Sequence, residues 1–441
     1  MTPQSVPRDI TSLTLTSPMQ KILRLYFFRP YSILILIFLI GWGTSNAQIA
    51  DDKCKFLGNV IANSVPTDFK QYWNQVTPEN AGKWESLEPT RDNFNWTSLD
   101  LAYNFAKTNN FPFKHHTFIW GSQQPSWIET LPADEQLAEI EEMIQTYCER
   151  YPDTDYIDVV NEPIHAAPVG AGKGNYMGAL GGTGTSGHDW IIKSFELARQ
   201  YCPNAKLLIN EYGIINDNAK TSVYINIINK LIEKDLIDGI GVQGHRFELE
   251  NATNATLTAN LDKLGATGLP VYISEFDLGN INDEGTASDA KQRELYERIF
   301  PVLWNHTAVH GITLWGYRQG ETWQTTAFLK RTNGTERPAL QWLKDFVPST
   351  YGGTFCYPVT SVSEQDEEFV SMYPNPSPDG SLVVTSNAAH AEGTIHDLSG
   401  RTIDSFNLKS NESYRFQAQS GMYILRLKSG SRVITRKLVI Q

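Results

Sequence analysis

"YIDVVNEP", residues 156–163, is the stretch from which the fold can be read. Tyr156, Ile157, Val159 and Val160 read as a short buried strand, apolar along nearly its whole length. Asn161 and Glu162 end it, and Pro163 stops it. An amide and a carboxylate at the mouth of an apolar strand each need a partner there. Taken alone, such a pair is more often a cap or a loop hydrogen-bond partner than a site.

Outward from this strand the same kind of run recurs. The runs are "KFLGNVI" (55–61), "QVTPEN" (75–80), "FPFKHHTFIW" (111–120), "DYIDVVNE" (155–162), "AKLLINEY" (205–212), "DGIGVQGH" (238–245), "LPVYISEF" (269–276) and "HGITLWGY" (310–317). Between them lie stretches such as "PADEQLAEIEEMIQTYCERY" (132–151) and "DAKQRELYERIFPVLWNH" (289–306), whose apolar residues return every three or four positions. Strands alternating with helices predict parallel βαβ units, and eight of them predict a closed (β/α)8 TIM barrel, an α/β fold. The rival, an open doubly wound sheet, is weakened by the lack of a GxGxxG or Walker loop after an early strand.

In such a barrel the C-terminal strand ends converge on one mouth. Those ends carry Glu79, Asn80 and Lys83 after strand two, and His116, Trp120 and Gln123 after strand three. Asn161 and Glu162 follow strand four, and Gln243 and His245 strand six. Glu275 and Asp277 follow strand seven, and Trp315 strand eight, with Trp323 in the loop beyond. Amides and carboxylates bind hydroxyls in pairs, and indoles stack on flat sugar faces. Two carboxylates from strands four and seven suit cleavage of a glycosidic bond. At a separation of about 5–5.5 Å, one serves as nucleophile and the other as acid/base. Glu162 is then the proton donor and Asn161 the partner of the sugar 2-hydroxyl. Glu275 stays ionised, oriented by His245 and Asp277. No GxSxG elbow and no metal-ligand spacing occurs, so the reading implies neither metal nor organic cofactor.

The remaining signals concern addresses and partners. A net charge of −12 argues against nucleic acid as a partner. Lys21, Arg24 and Arg29 precede the apolar run "ILILIFLI" (33–40), and Ser45 and Ala47 follow it. This order predicts a secretory signal over 1–47, cleaved after Ala47, with Met19 as a possible true start. The run falls short of the roughly 20 residues of a membrane span. Cys54, Cys148, Cys202 and Cys356 follow the signal; 54 with 356 and 148 with 202 are the expected pairs, buried free thiols the alternative. After "ALQWLKDFVP" (339–348) the composition turns to Ser, Thr, Gly and acids. A linker is expected over 347–369, and short strands between turns predict a small β-sandwich over 370–441. The Gly-rich stretch 167–189 reads as a long loop walling one side of the groove.

Seven of these segments together resemble one known family. They are "VTPENAGKWESLEPTRDNFNW", "HHTFIWGSQQPSW", "DVVNEP", "LLINEY", "GVQGH", "YISEFDL" and "GITLWG" with a later Trp. In this order, over about residues 55–346, they look like the glycoside hydrolase family 10 endo-xylanases. The resemblance implies a retaining (β/α)8 enzyme acting on β-1,4-xylan, over a catalytic domain of 48–346. It makes Glu162 the acid/base and Glu275 the nucleophile. It also implies that Glu79, Asn80, Lys83, His116, Trp120, Gln123, Asn161, Gln243, His245, Trp315 and Trp323 hold xylose units. Alternatives are the same mechanism on another β-1,4 glycan, sugar transfer, or a xylan-binding barrel without catalysis.

Three positions depart from the family pattern. Trp120-Gly121 stands where Trp-His is usual, so Gly121 replaces the His, and Gln319 and Thr322 replace an Asp and a Ser. The neighbouring Arg318 could meet an acidic xylan side group or pair with a surface carboxylate. The C-terminal segments "YPNPSPDG", "IHDLSGR", "SGMYILRLKSG" and "TRKLVI" resemble the sorting domains of the type IX (Por) secretion system. That resemblance implies export across the outer membrane by that machinery, to the cell surface or medium; the chain itself is expected to be a monomer. A sugar-binding sandwich is the alternative, but the segment has no Trp.

Overall fold

The structure is a computed structural model, and it describes residues 48–51, 53–279, 286–350 and most of 370–440. The expected signal segment lies outside the described residues, as do Cys356 and most of the expected linker.

Eight parallel strands form the barrel: β1 (Phe56–Ile61), β2 (Val76–Pro78), β3 (Lys114–Ile119), β4 (Tyr156–Asn161), β5 (Lys206–Glu211), β6 (Gly239–Val242), β7 (Val271–Phe276) and β8 (Val309–Leu314). The hydrogen-bonded order runs β2-β1-β8-β7-β6-β5-β4-β3. A parallel bridge between Val76 and Phe113 brings β2 against the start of β3 and closes the ring. Helices cover the outside, so the strands are buried on both faces and need no polar alternation.

The helix Ala133–Arg150 shows the local logic. Asp134 and Glu135 occupy its first turn and Arg150 its last, matching the helix dipole, while Ile140, Met143, Ile144 and Tyr147 are buried. A disulfide joins Cys148, near the end of this helix, to Cys202, just past the helix Asp189–Tyr201, with Cα atoms 5.3 Å apart. Cys54 is also disulfide-bonded. The helix Pro338–Ser349 runs three residues into the segment expected as linker, because Val347 is fully buried.

The N-terminal end of the barrel is plugged by rings. Phe56 stacks on Tyr272 at 5.8 Å and 7°, and Tyr156 tilts against both, at 5.9 and 5.2 Å. Gly311 makes room, since a Cβ there would lie 2.3 Å from the Phe56 ring.

The C-terminal strands are all antiparallel. Strands β9 (Val370–Tyr373), β10 (Ser381–Ser386) and β13 (Ser413–Gln417) form one sheet. Strands β11 (His390–Asp397), β12 (Thr402–Lys409), β14 (Gly421–Ser429) and β15 (Arg432–Ile440) form the other. Leu382, Val384 and Phe416 from the first sheet share a core with Ile395, Leu425 and Leu438 from the second. Among the described residues no helix is long and apolar enough to cross a membrane.

Candidate active site

The C-terminal strand ends enclose a cleft of about 560 Å³. Glu79, Asn80, Lys83, His116, Trp120, Gln123, Asn161, Glu162, Gln243, His245, Glu275, Trp315 and Trp323 all line it. Asp277 stands one step behind, 2.7 Å from His245 Nδ1. Every residue read above as catalytic, sugar-binding or supporting is thus brought together. A larger, open depression of about 1620 Å³ lies at the opposite end of the barrel, away from both carboxylates.

The two carboxylates sit in contrasting surroundings. Glu275 Oε1 accepts from Asn210 Nδ2 at 2.7 Å, and Oε2 lies 3.4 Å from His245 Nε2. Burial alone would push Glu275 up. His116, His245 and Lys114 outweigh it and hold the group down at about 2. Burial likewise works against a charged His245, but Asp277 and Glu275 raise its pKa well above the imidazole range. Glu162 is pushed up instead, first by burial and then by the charge of Glu275, with the 3.1 Å bond from Gln243 Nε2 opposing. One carboxyl in the cleft therefore favours keeping its proton and the other favours losing it. That division lets a site protonate one atom while attacking its neighbour.

A buried polar layer supports the pair from below. Asp158 Oδ2 accepts from Lys114 Nζ at 2.8 Å and faces His116 Nδ1 at 3.0 Å. Asn161 Oδ1 accepts from Asn210 Nδ2 at 2.8 Å. Strict alternation would put Asp158 and Asn161 on opposite faces. A register shift between Asp158 and Val160 changes the parity, so both reach polar partners on neighbouring strands. Lys83 Nζ bridges Asn80 Oδ1 at 2.8 Å and Gln123 Oε1 at 2.7 Å, joining the loops after β2 and β3. Burial raises the pKa of Glu79 and lowers that of Lys83.

Sequence reasoning missed two of the cleft's residues, Tyr212 and Phe247. Tyr212 follows β5, whose end "NEY" repeats the amide–carboxylate signature of "NEP" and was the available signal. Phe247 sits on the short helix Arg246–Leu249 and is half-exposed, stacked 5.4 Å from His245. No periodicity pointed to it. Asn210 and Asp158 were also missed as supports.

The loop 167–189, expected to wall one side of the groove, contributes none of the residues that line this cleft. Its buried Tyr176 turns inward and donates to Trp120 O at 2.8 Å, so the loop backs Trp120 instead. Gly174 takes φ +80°, and a Cβ there would lie 2.4 Å from the Tyr176 ring. The departures from the family pattern have local causes. Gly121 N–H donates to Ala166 O at 2.8 Å. A Cβ at 121 would come within 2.4 Å of that carbonyl, so no side chain fits. Arg318 Nη1 lies 3.1 Å from Glu321 Oε1, with both side chains about 40% exposed, which is the surface pairing. Gln319 N–H donates to Lys330 O, and Thr322 Oγ1 donates to Gln324 O, so both settle into their own loop.

The profile of glycosyl hydrolase family 10 matches residues 45–346, and that of the secretion system C-terminal sorting domain matches 371–441. Endo-1,4-beta-xylanase B of Cellvibrio japonicus is 43% identical over 292 residues, covering 66% of this chain and 45% of that protein. The chain therefore spans less than half that relative's length. Endo-1,4-beta-xylanase A of Caldicellulosiruptor saccharolyticus is 30% identical over 277 residues, covering 58% of this chain and 78% of that protein. The crystal structure of native xylanase 10B from Thermotoga maritima superposes with a TM-score of 0.60 at 26% identity, covering 68% of this chain and 97% of that one. With a family match over more than half its length and a TIM barrel whose mouth carries the two carboxylates, the chain belongs to glycosyl hydrolase family 10.

Proposed function

We propose that this protein is an exported endo-β-1,4-xylanase that cuts xylan with retention of anomeric configuration. One observation carries the reading: two carboxyls share the cleft, Glu162 pushed toward its protonated form and Glu275 toward its ionised form. In the first step Glu275 attacks the anomeric carbon, and Glu162 gives its proton to the departing glycosidic oxygen. The carbon–oxygen bond to the leaving chain breaks as the carbon–Glu275 ester bond forms. In the second step Glu162, now a carboxylate, takes a proton from water. The resulting hydroxide character displaces Glu275 and restores both groups.

Asn161, which lines the same cleft, is the partner of the 2-hydroxyl of the reacting sugar in this reading. Glu79, Asn80, Lys83, Gln123, Trp315 and Trp323 offer paired hydrogen-bonding groups and flat faces for the units bound beyond it. His116, Trp120, Gln243 and His245 complete the wall around the reacting ring. Relatives named endo-1,4-beta-xylanases support xylan as the substrate. The N-terminal signal-like segment and the match to a C-terminal sorting domain support export by type IX machinery, with 1–47 and 370–441 as the two addresses.

The test is to feed xylan to the full chain and follow the first-formed anomer by NMR. A β-product appearing first is expected. An initial α-product rules out retention of a β-linkage, and no product from xylan rules out the substrate.

A further inference from the structure

Three groups outside the expected set meet behind Glu162. Glu211 is fully buried. Its Oε2 accepts Ile164 N–H at 2.8 Å. Its Oε1 accepts Tyr212 N–H at 2.8 Å and faces His165 Nδ1 at 2.9 Å. On the far side of the ring, His165 Nε2 lies 2.9 Å from Lys220 Nζ. A lysine ammonium can only donate, so Nε2 accepts and Nδ1 carries the ring proton toward Glu211. Lys220 is itself fixed near the start of the helix Asn218–Ile232, where Asp217 accepts its backbone N–H at 3.1 Å.

What this chain of bonds holds is the turn bearing the proton donor. Glu162 has φ +53°, in the left-handed region that non-glycine residues avoid at a cost of about 1–2 kcal/mol. Ala166 N–H closes the turn on Glu162 O at 2.7 Å. Inside it, Ile164 N–H is taken by Glu211. A residue in that conformation keeps it only where its surroundings hold it. The same carboxyl also seats the cleft aromatic, since Tyr212 donates to it and packs on His165 at 4.1 Å and 22°.

Resting on the acid role proposed for Glu162, we infer that Lys220, His165 and Glu211 form a positioning relay for it. The relay fixes the left-handed turn so that the Glu162 carboxyl faces the leaving oxygen, and it holds Tyr212 against the same cleft. It touches no substrate and acts only through Glu162 and Tyr212.

The test exploits leaving groups. Proton donation matters for xylohexaose, whose leaving sugar is a poor one, and hardly at all for dinitrophenyl β-xylobioside. Glu211→Gln should lower kcat/KM on xylohexaose about 10- to 100-fold more than on the aryl glycoside. Lys220→Met should move the ratio the same way by a smaller factor, and Glu211→Asp should recover part of the loss. Equal losses on both substrates mean a merely structural role and overturn the proposal, as does no loss on either. If Glu211→Gln melts below assay temperature by circular dichroism, the half-buried Lys220 decides, and an unchanged ratio in Lys220→Met overturns the relay. Glu162→Ala is the separate control. Without a larger split there, the acid assignment itself fails, whatever Glu211 does.

Discussion

The two ends of the barrel are made by the same strands under opposite rules. At the N-terminal end, β4 begins with Tyr156 and β7 carries Tyr272, and with Phe56 they close the barrel by ring packing. At the C-terminal end, β4 finishes on Asn161 with Glu162 beyond it, and β7 carries Glu275. There buried polar groups depend on one another: Asn210 serves both Asn161 and Glu275, and His245 serves both Glu275 and Asp277. One end gains its free energy from area removed from water, which stabilises without directing any chemistry. The other is built from groups that are costly to bury and useful only when all are satisfied. A (β/α)8 barrel can therefore support a reactive mouth on an apolar base.

This contrast can be broken or sharpened by substitution. The largest effect is expected for Glu275→Ala, which should cut turnover on the order of 10⁴-fold or more while oligosaccharide binding by calorimetry survives. Turnover that persists would remove Glu275 from the nucleophile's role. At the other end, Tyr272→Ala should cost about 3–5 kcal/mol of unfolding free energy in urea, with kcat of the folded fraction unchanged. A fall in kcat without a loss of stability would erase the division between the two ends.

The charge logic of the mouth has its own test in His245→Asn. His245 is among the groups holding Glu275 down at about 2, so its removal should raise the Glu275 pKa. The acid limb of the pH–rate profile should then move to higher pH, while the alkaline limb, set by Glu162, stays nearly in place. Stability follows the same sign. A depressed carboxylate pKa stabilises above the unfolded value of about 4.3, and that stability is lost as pH falls toward 2, so in the variant the stabilisation is smaller and its loss is complete at a higher pH. An acid limb that stays put would separate His245 from Glu275. The smallest effect is expected at Arg318. Its partner is Glu321, and Arg318→Ala should change kcat/KM equally, and little, on glucuronate-bearing and neutral xylans.

The apolar base was more legible in the sequence than the mouth. Runs such as "DYIDVVNE" and "LPVYISEF" are buried on both faces, so composition alone marks them as strands, and the strand ends follow from that. Lys114 and Asp158 were less visible, being charged residues inside runs read as apolar. Their partnership depends on the pairing of β3 with β4, which one sequence does not display. Glu211 was hidden differently: its three N–H donors come from loop backbone and a loop histidine, and nothing in side-chain pattern encodes them. The inward turn of Tyr176 was equally unreadable, because it is decided by the packing of a loop whose course glycine leaves open.

The contact between Gly121 and the carbonyls of residues 166 and 167 has an evolutionary consequence. Position 121 and the path of the chain beyond Pro163 are locked into one inherited choice. Randomising residue 121 alone should return glycine from an activity selection. Libraries that also re-route residues 164–170 should admit larger side chains, so a histidine could enter there only alongside a different loop.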